Sequence, residues 1–423
     1  MLTQSDLRRV VVVGSSLAGL RACETLRSEG FDGDVVLVGA ENETPYDRPP
    51  LSKKVLAGEW DVDRIRLRKP DDLAGLALDM RLGSAAVALD LQARVVTLAD
   101  GSRLPFDGLV IATGAMPRRL PKQPILDGVV ELRTLANSIA LRDRIADGTA
   151  RVTVIGAGFI GLEVAATARQ RGCVVTVLEG APAPLIRGLG AEMGTAVAAV
   201  HTRNGVDLRC GVGVAGIEGG GARVTGVRLA DGTLVESDVV VVGVGVAPAT
   251  QWLAASGLVL GDGIVCDATL QTSAPGIYAA GDCARWPNAV FAGFDDELMR
   301  IEHWTNAAEQ GAAAARNMLA VSRGEAATPY ESVPFFWSDQ FDSRIQFVGR
   351  AHGGDDIHVF AGNTLSKDGL LNDGQNFVAL YGYQGRLRGV LGVNMPRLVM
   401  PFRALLAAKA TWAEALEKAA QHG

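Results

Sequence analysis

A chain of 423 residues is too long for one simple core and suits two or three domains. Its 48% hydrophobic and 21% charged residues are ordinary for a globular protein folding in water, and a net charge of −6 argues against nucleic acid as a partner. The longest apolar run, residues 239–247, is broken by Gly243 and Gly245 and reads as a buried strand, and Arg8-Arg9 leads straight into a strand rather than a secretory signal, so the expectation is a cytoplasmic protein without a membrane partner.

Residues 10–13 are four consecutive valines, a β-branched run predicted as a strand. Gly14-Ser15-Ser16-Leu17-Ala18-Gly19 follows, then helical spacing from Leu17 to Ser28 and a second strand over 35–38. This is a strand–helix–strand unit of the length that holds a dinucleotide. Gly14 permits a sharp turn and Gly19 permits close packing of helix on sheet. The helix start offers backbone N–H groups and a positive dipole end to a pyrophosphate. Ser16 stands where the pattern has its middle glycine. Such a string also serves in ordinary strand–helix turns. Glu41 follows the second strand, past Val38-Gly39-Ala40, where a carboxylate can bind ribose hydroxyls; a solvated surface acid is the plain alternative.

Tyr46-Asp47-Arg48-Pro49-Pro50-Leu51-Ser52-Lys53 comes next. The two prolines fix the backbone, so Arg48 and Lys53 are rigidly placed bases: Arg48 for a phosphate or flavin edge, Lys53 for an electron-rich ring. A proline turn carrying two solvated bases fits the string equally well. A strand at 95–98, a turn at Asp100-Gly101 and a strand at 104–111 read as a hairpin ending in Ala112-Thr113-Gly114. Pro117, Pro121 and Pro124 mark a linker.

The second strand–turn–helix carries the full fingerprint Gly156-Ala157-Gly158-Phe159-Ile160-Gly161. A strand is predicted over 152–155, a helix over 160–171 and a strand over 174–178. Glu179 closes that strand, where a carboxylate binds a 2′-hydroxyl and repels a 2′-phosphate, which favours NADH over NADPH. Arg187, farther along, works against that preference. A hairpin turning at Asp231-Gly232 precedes a strand over 239–244. Gly276 to Asp282 reads as another strand end. From about Thr328 aromatics gather, and antiparallel strands followed by a terminal helix from Pro401 are expected. Cys23, Cys173, Cys210, Cys266 and Cys283 stand singly, so neither a disulfide redox centre nor a metal site is expected. The fold class is α/β: two Rossmann-like dinucleotide-binding domains and a C-terminal α+β domain. Two such sites in one chain suit a resident dinucleotide visited by a second, the arrangement of a flavoprotein reduced by a nicotinamide.

Residues 45–53, Ala112-Thr113-Gly114, residues 156–163, Gly281-Asp282 and Glu302-His303-Trp304 together match one pattern, in order, over nearly the whole chain. The chain resembles the FAD-dependent, NADH-using ferredoxin reductases that serve bacterial cytochromes P450 and Rieske-type oxygenases, a family that includes putidaredoxin reductases. The resemblance implies a discontinuous FAD domain (1–114 and 247–327), an NADH domain (115–246) and a C-terminal domain (328–423). It implies FAD contacts at Gly14, Ser16, Ala18, Glu41, Arg48, Lys53, Ala112, Arg119 and Asp282. It places NADH contacts at Gly156, Gly158, Ile160, Gly161, Glu179, Arg187 and Gly245. Trp304 and Trp337 are expected to border the flavin and nicotinamide, with Phe335 and Phe336 equally suited to a core role. Lys53, Glu163 and Trp304 form the implied catalytic set, with a Lys53–Glu163 ion pair beside flavin N5.

The implied partner is an acidic [2Fe–2S] ferredoxin, which takes electrons one at a time from a monomer or weak homodimer. Arg64, Arg66 and Arg68 would share one face if extended, and Arg300, Arg344, Arg386 and Arg388 are further candidates for a basic landing site; each is equally a solvated face. Two related readings stand beside this one. The first is a monodehydroascorbate or rubredoxin reductase. The second is an NADH-sensing flavoprotein of the apoptosis-inducing-factor type, whose output is dimerisation or protein binding.

Overall fold

The computed structural model describes residues 7–294, 298–362 and 376–421. The chain divides into two compact units. The first comprises residues 1–47, 65–116 and 247–334; the second comprises 48–64, 117–246 and 335–423.

The first unit is built on a parallel sheet in the order Ile277–Ala279, Gly108–Ile111, Arg9–Val13, Asp34–Val38, Asp79–Arg81. Arg9–Val13 takes the centre because Val10 to Val13 are apolar on both faces, and all four are buried. The helix Leu17–Ser28 spans the predicted residues and turns Leu20, Cys23 and Leu26 inward. A longer helix, Trp304–Ser322, packs on it so closely that a Cβ on Gly311 would lie 2.1 Å from the Ala18 carbonyl oxygen. The expected hairpin forms between Val95–Leu98 and Arg103–Pro105, but the run 104–111 is not one strand. It breaks at Phe106-Asp107. The Asp107 carboxylate accepts from the amides of Arg8 (3.0 Å) and Arg9 (2.8 Å), capping the start of the central strand. Gly108–Ile111 then enters the parallel sheet instead of the hairpin.

The second unit repeats the plan. Its parallel sheet runs Asp207–Cys210, Val174–Glu179, Arg151–Ile155, Val239–Val242, Val129–Val130. The helix Phe159–Gln170 lies one residue earlier at each end than its pattern suggested, and the strand expected to reach residue 244 stops at Val242. A small antiparallel sheet contains the hairpin Arg223–Leu229 to Leu234–Glu236, with its turn at Asp231-Gly232 as expected. The C-terminal sheet is antiparallel, in the order Phe335–Gln340, Ser343–Gly349, Arg386–Val393, Phe377–Tyr383, Asp356–Gly362. One apolar core joins the two sheets: Val152, Val154, Leu162 and Val177 pack in the same cluster as Ile345, Phe347, Tyr381 and Leu391.

The terminal helix expected from Pro401 is two helices, Pro401–Ala407 and Trp412–Ala420. Lys409 adopts φ 57° and ends the first. Thr411 then caps the second: its hydroxyl accepts from the Glu414 amide, and the Glu414 carboxylate accepts from the Thr411 amide. No helix among the described residues is long and apolar enough to cross a membrane.

Candidate functional site

In the first unit the chain leaves the central strand at Gly14, whose φ of +122° puts a would-be Cβ 2.1 Å from the Ala112 carbonyl oxygen. No side chain fits there. Gly19 is equally constrained, by the Gly14 carbonyl at 1.8 Å from its would-be Cβ. Together they bring the start of the helix Leu17–Ser28 down onto the strand ends. Ser16 is the extended residue before that helix, and its carbonyl accepts from the Leu20 amide. The amides of Leu17, Ala18 and Gly19 precede the intrahelical ladder and are the groups that suit an anion.

Other predicted residues gather at the same edge. Ala112 follows the neighbouring strand and bonds its amide to the Val13 carbonyl at 2.7 Å. Asp282 sits in the turn Gly281–Cys283, where Gly281 adopts φ +76° and a Cβ on it would lie 3.2 Å from Ala18 Cβ. The Asp282 carbonyl accepts from Arg300 Nη1 at 3.0 Å. Glu41, three residues past the strand Asp34–Val38, accepts from the Tyr46 hydroxyl at 2.6 Å, which holds the carboxylate in the loop after that strand. Trp304 opens its helix and donates its indole N–H to Asp47 Oδ1 at 2.7 Å. The first unit therefore holds Gly14, Ser16, Ala18, Glu41, Ala112, Asp282 and Trp304.

The second unit holds the remaining predicted residues. Gly156 has φ +105°, and its would-be Cβ lies 2.3 Å from the Gly243 carbonyl oxygen; that of Gly161 lies 2.2 Å from the Gly156 carbonyl oxygen. Gly158 differs. A Cβ built on it meets nothing within 4 Å, and its backbone is extended at φ −80°. The protein itself does not require glycine there. An approaching pyrophosphate does, so this position tests whether the turn fits a dinucleotide, and it fits. Ile160 is exposed at the helix start. Glu179 ends its strand and accepts from two amides, Ala157 at 2.7 Å and Ala181 at 2.8 Å. A carboxylate offers about four lone-pair sites, so capacity remains for ribose hydroxyls. Arg187 is exposed and makes no hydrogen bond or ion pair among the described residues. Its Nη1 lies 3.8 Å from where a Cβ on Gly245 would be, which brings two predicted nicotinamide-side residues together.

Lys53 and Glu163 form the predicted ion pair, Nζ to Oε2 at 2.7 Å, with side chains 16% and 6% exposed. Ser52 donates to the same carboxylate oxygen at 2.5 Å, and Ser338 donates to the other at 2.6 Å. Thr167, one helical turn beyond Glu163, donates to the Ser52 carbonyl at 2.8 Å. Ser138 donates to the Leu51 carbonyl at 2.7 Å. The proline segment is thus clamped at successive residues, and it is not a turn of solvated bases. Arg48 donates to the Arg133 carbonyl at 2.6 Å. Arg119 pairs with Glu131 at 2.8 Å and stays 70% exposed. Trp337 stacks with Phe335, centroids 6.0 Å apart, while Phe336 turns to the opposite face and meets Phe159 edge-on at 4.8 Å.

Sequence reasoning did not single out Ser52, Ser338, Gln340, His201 or Asp47 for any role. Ser338 and Gln340 carry no motif, and only strand register puts them beside Glu163. The proposed basic face also changes. Arg64 lies in the tight turn Asp63–Ile65 over the Trp60 ring, Arg66 bonds Thr44, and Arg68 pairs with Glu24 at 2.6 Å. Arg388 is buried, and Arg300 is partly buried and tied to Asp262 at 3.0 Å and Glu302 at 2.6 Å, which disfavours both as landing residues. The five cysteines are free thiols; burial pushes the Cys23 thiol up to about 12.

Two glycine turns, each followed by a carboxylate at or just past the next strand, and a clamped ion pair one turn into the second turn's helix define a dinucleotide-dependent oxidoreductase. The chain belongs to the pyridine nucleotide-disulphide oxidoreductase family, whose model matches residues 8–311, and a reductase C-terminal model matches residues 335–421. It is 38% identical to rhodocoxin reductase of Rhodococcus erythropolis over 94% of this chain and 89% of that one. It is 38% identical to putidaredoxin reductase of Pseudomonas putida over 92% of this chain and 89% of that one. Among solved structures it resembles the reductase in the covalent putidaredoxin reductase–putidaredoxin complex, with a TM-score of 0.87 and 34% identity over 95% of this chain and 93% of that one.

Proposed function

We propose that this chain is an FAD-containing NADH:ferredoxin reductase, which passes electrons from NADH through FAD to a [2Fe–2S] ferredoxin that serves a cytochrome P450 or a Rieske-type oxygenase. The observation that carries this reading is the pair of glycine turns, one in each unit, each closed against a neighbouring carbonyl too tightly for any side chain. The 38% identical relatives, named as rhodocoxin and putidaredoxin reductases, support the acceptor class.

In this reading the residues divide by role. The Gly14 turn, with Ser16, Ala18, Glu41, Ala112 and Asp282, holds FAD, assisted by Arg48, Lys53 and Arg119. The Gly156 turn, with Gly158, Ile160, Gly161, Glu179, Arg187 and Gly245, holds NADH. Segments 1–114 with 247–327, 115–246 and 328–423 serve as the FAD-binding, NADH-binding and C-terminal domains. Bound FAD supplies the conversion of a two-electron hydride into two single electrons. The protein orients the reactants and excludes water. Lys53 and Glu163 serve the flavin's reacting edge, where a fixed ammonium and its counterion need no reorganisation as charge moves. Trp304 and Trp337 border the rings. The protein acts in the cytoplasm, as a monomer or weak homodimer.

The test is stopped-flow reduction of the FAD-loaded protein by NADH and by NADPH, followed by addition of [2Fe–2S] ferredoxins. The expected outcome is rapid bleaching of the flavin band by NADH, a higher kcat/KM for NADH than for NADPH, and ferredoxin-dependent reoxidation. Protein that stays colourless after reconstitution with FAD overturns the proposal.

A further inference from the structure

Behind the Lys53–Glu163 ion pair runs a buried hydrogen-bond chain, and the inventory of donors and acceptors fixes its direction. As the anion of the pair, Glu163 only accepts. The Ser338 hydroxyl, 2.6 Å from Oε1, therefore donates to it. A hydroxyl has one proton, so Ser338 Oγ must accept from its other neighbour, the Gln340 Nε2 amide at 3.0 Å. That orientation turns the Gln340 carbonyl oxygen toward His201 Nε2, 2.8 Å away. The carbonyl can only accept, so His201 carries its proton on Nε2. Its Nδ1 is then the bare nitrogen, buried and without a hydrogen-bond partner among the described residues, with Phe341 edge-on to the ring at 5.2 Å. His201 and Gln340 are fully buried, Ser338 is 1% exposed and Glu163 5%. Any other polarity sets two acceptors or two donors face to face in a dry interior, which costs more than the hydrogen bond is worth.

We infer that His201, Gln340 and Ser338 are positioning residues for the Lys53–Glu163 pair: a one-way relay that aims its donors in series at the carboxylate and so holds Lys53 Nζ in one place. The inference rests on the proposed role of that pair in hydride transfer. Three elements are tied by the relay, the strand far from the two helices in sequence: the helix Phe159–Gln170, the strand Phe335–Gln340 and the helix Ala191–Arg203. Strand periodicity makes it possible, because Phe336, Ser338 and Gln340 share one face while Phe335, Trp337 and Asp339 share the other.

The experiment is ring-nitrogen NMR on the FAD-loaded protein carrying isotope-labelled histidine, with the His201 signals assigned by their loss in His201→Asn. The expected result is a proton on Nε2. In Glu163→Gln, the Lys53 ammonium keeps the amide carbonyl and the new NH2 group faces Ser338. Every bond in the chain then reverses, and the His201 proton moves to Nδ1. A wild-type proton on Nδ1, or no tautomer change in Glu163→Gln, overturns the relay. For its positioning role, Ser338→Ala should slow flavin reduction by NADH about tenfold at unchanged KM for NADH, and Ser338→Thr should restore the rate. Lower stability in Ser338→Ala with an unchanged reduction rate overturns that role. The tautomer depends on no flavin chemistry, so it reports on the relay separately; an unchanged reduction rate in Lys53→Met overturns the catalytic reading of the ion pair instead.

Discussion

Gly158 and Gly161 lie three residues apart in one motif, yet they are glycine for different reasons. A Cβ at 161 would sit 2.2 Å from a backbone oxygen, whereas one at 158 meets open space. Gly161→Ala should therefore destabilise the protein by about 3 kcal/mol, the upper end of overpacking costs. Gly158→Ala should leave the melting temperature unchanged and raise the KM for NADH about tenfold, through lost approach to the pyrophosphate. Thermal melts and steady-state kinetics on the two variants check both, and equal melting losses would refute the distinction. His201 bears on acid stability. Burial pushes its imidazole from the usual 6.5 down to about 4, against the opposing hydrogen bond to Gln340. The unfolded chain takes up this proton near pH 6.5, but the folded chain resists until about pH 4. This group's contribution is thus complete above the unfolded value and lost as pH falls through that window, about 3 kcal/mol in all. Denaturant midpoints measured across the window should fall less steeply in His201→Gln than in the wild type.

At the scale of elements, helices meet where side chains are absent. Gly311 lets the helix Trp304–Ser322 touch the helix Leu17–Ser28 at the Ala18 carbonyl, at the turn where the first fingerprint ends. Gly311→Val forces those helices apart. It should cost about 3 kcal/mol and weaken FAD retention together, whereas a mere cavity-type defect would cost stability alone. Fluorescence of released flavin during a melt separates the two outcomes. The helix Phe159–Gln170 shows how one face gathers work: Phe159, Glu163 and Thr167 recur at every fourth residue, meeting Phe336, Lys53 with Ser52 and Ser338, and the Ser52 carbonyl respectively. Its amphipathic spacing was legible beforehand. Apart from Lys53, which the family pattern paired with Glu163, the residues it would meet were not, because they come from segments more than a hundred positions away on either side.

At the scale of the molecule, electron delivery to a separate carrier is an encounter between proteins, and charge governs its rate. Arg66, Arg68 and Arg300 are committed to neighbours, and Arg388 is buried. A docking surface must draw on other residues, Arg344 among the exposed ones, although it faces Asp339 at 3.4 Å. Ferredoxin reduction should slow as ionic strength rises, while flavin reduction by NADH stays nearly constant. Stopped-flow traces of both half-reactions over a salt series check this, and a flat ferredoxin profile would argue against steered docking.

The sequence by itself determined the elements whose signals are local. Four valines, a glycine turn and an amphipathic stretch specify a strand, a sharp exit and a helix without reference to anything distant, and both fingerprints formed where they were read. The ion pair was reachable too, through the family pattern at Lys53 and Glu163. Tertiary structure alone decided the break at Asp107, where the Arg8 and Arg9 amides at the start of the chain's first strand claim the carboxylate. It also decided the relay from Glu163 to His201. Hydrophobic periodicity records which face of an element is covered; it carries no record of which polar group on another element completes a buried donor's bond.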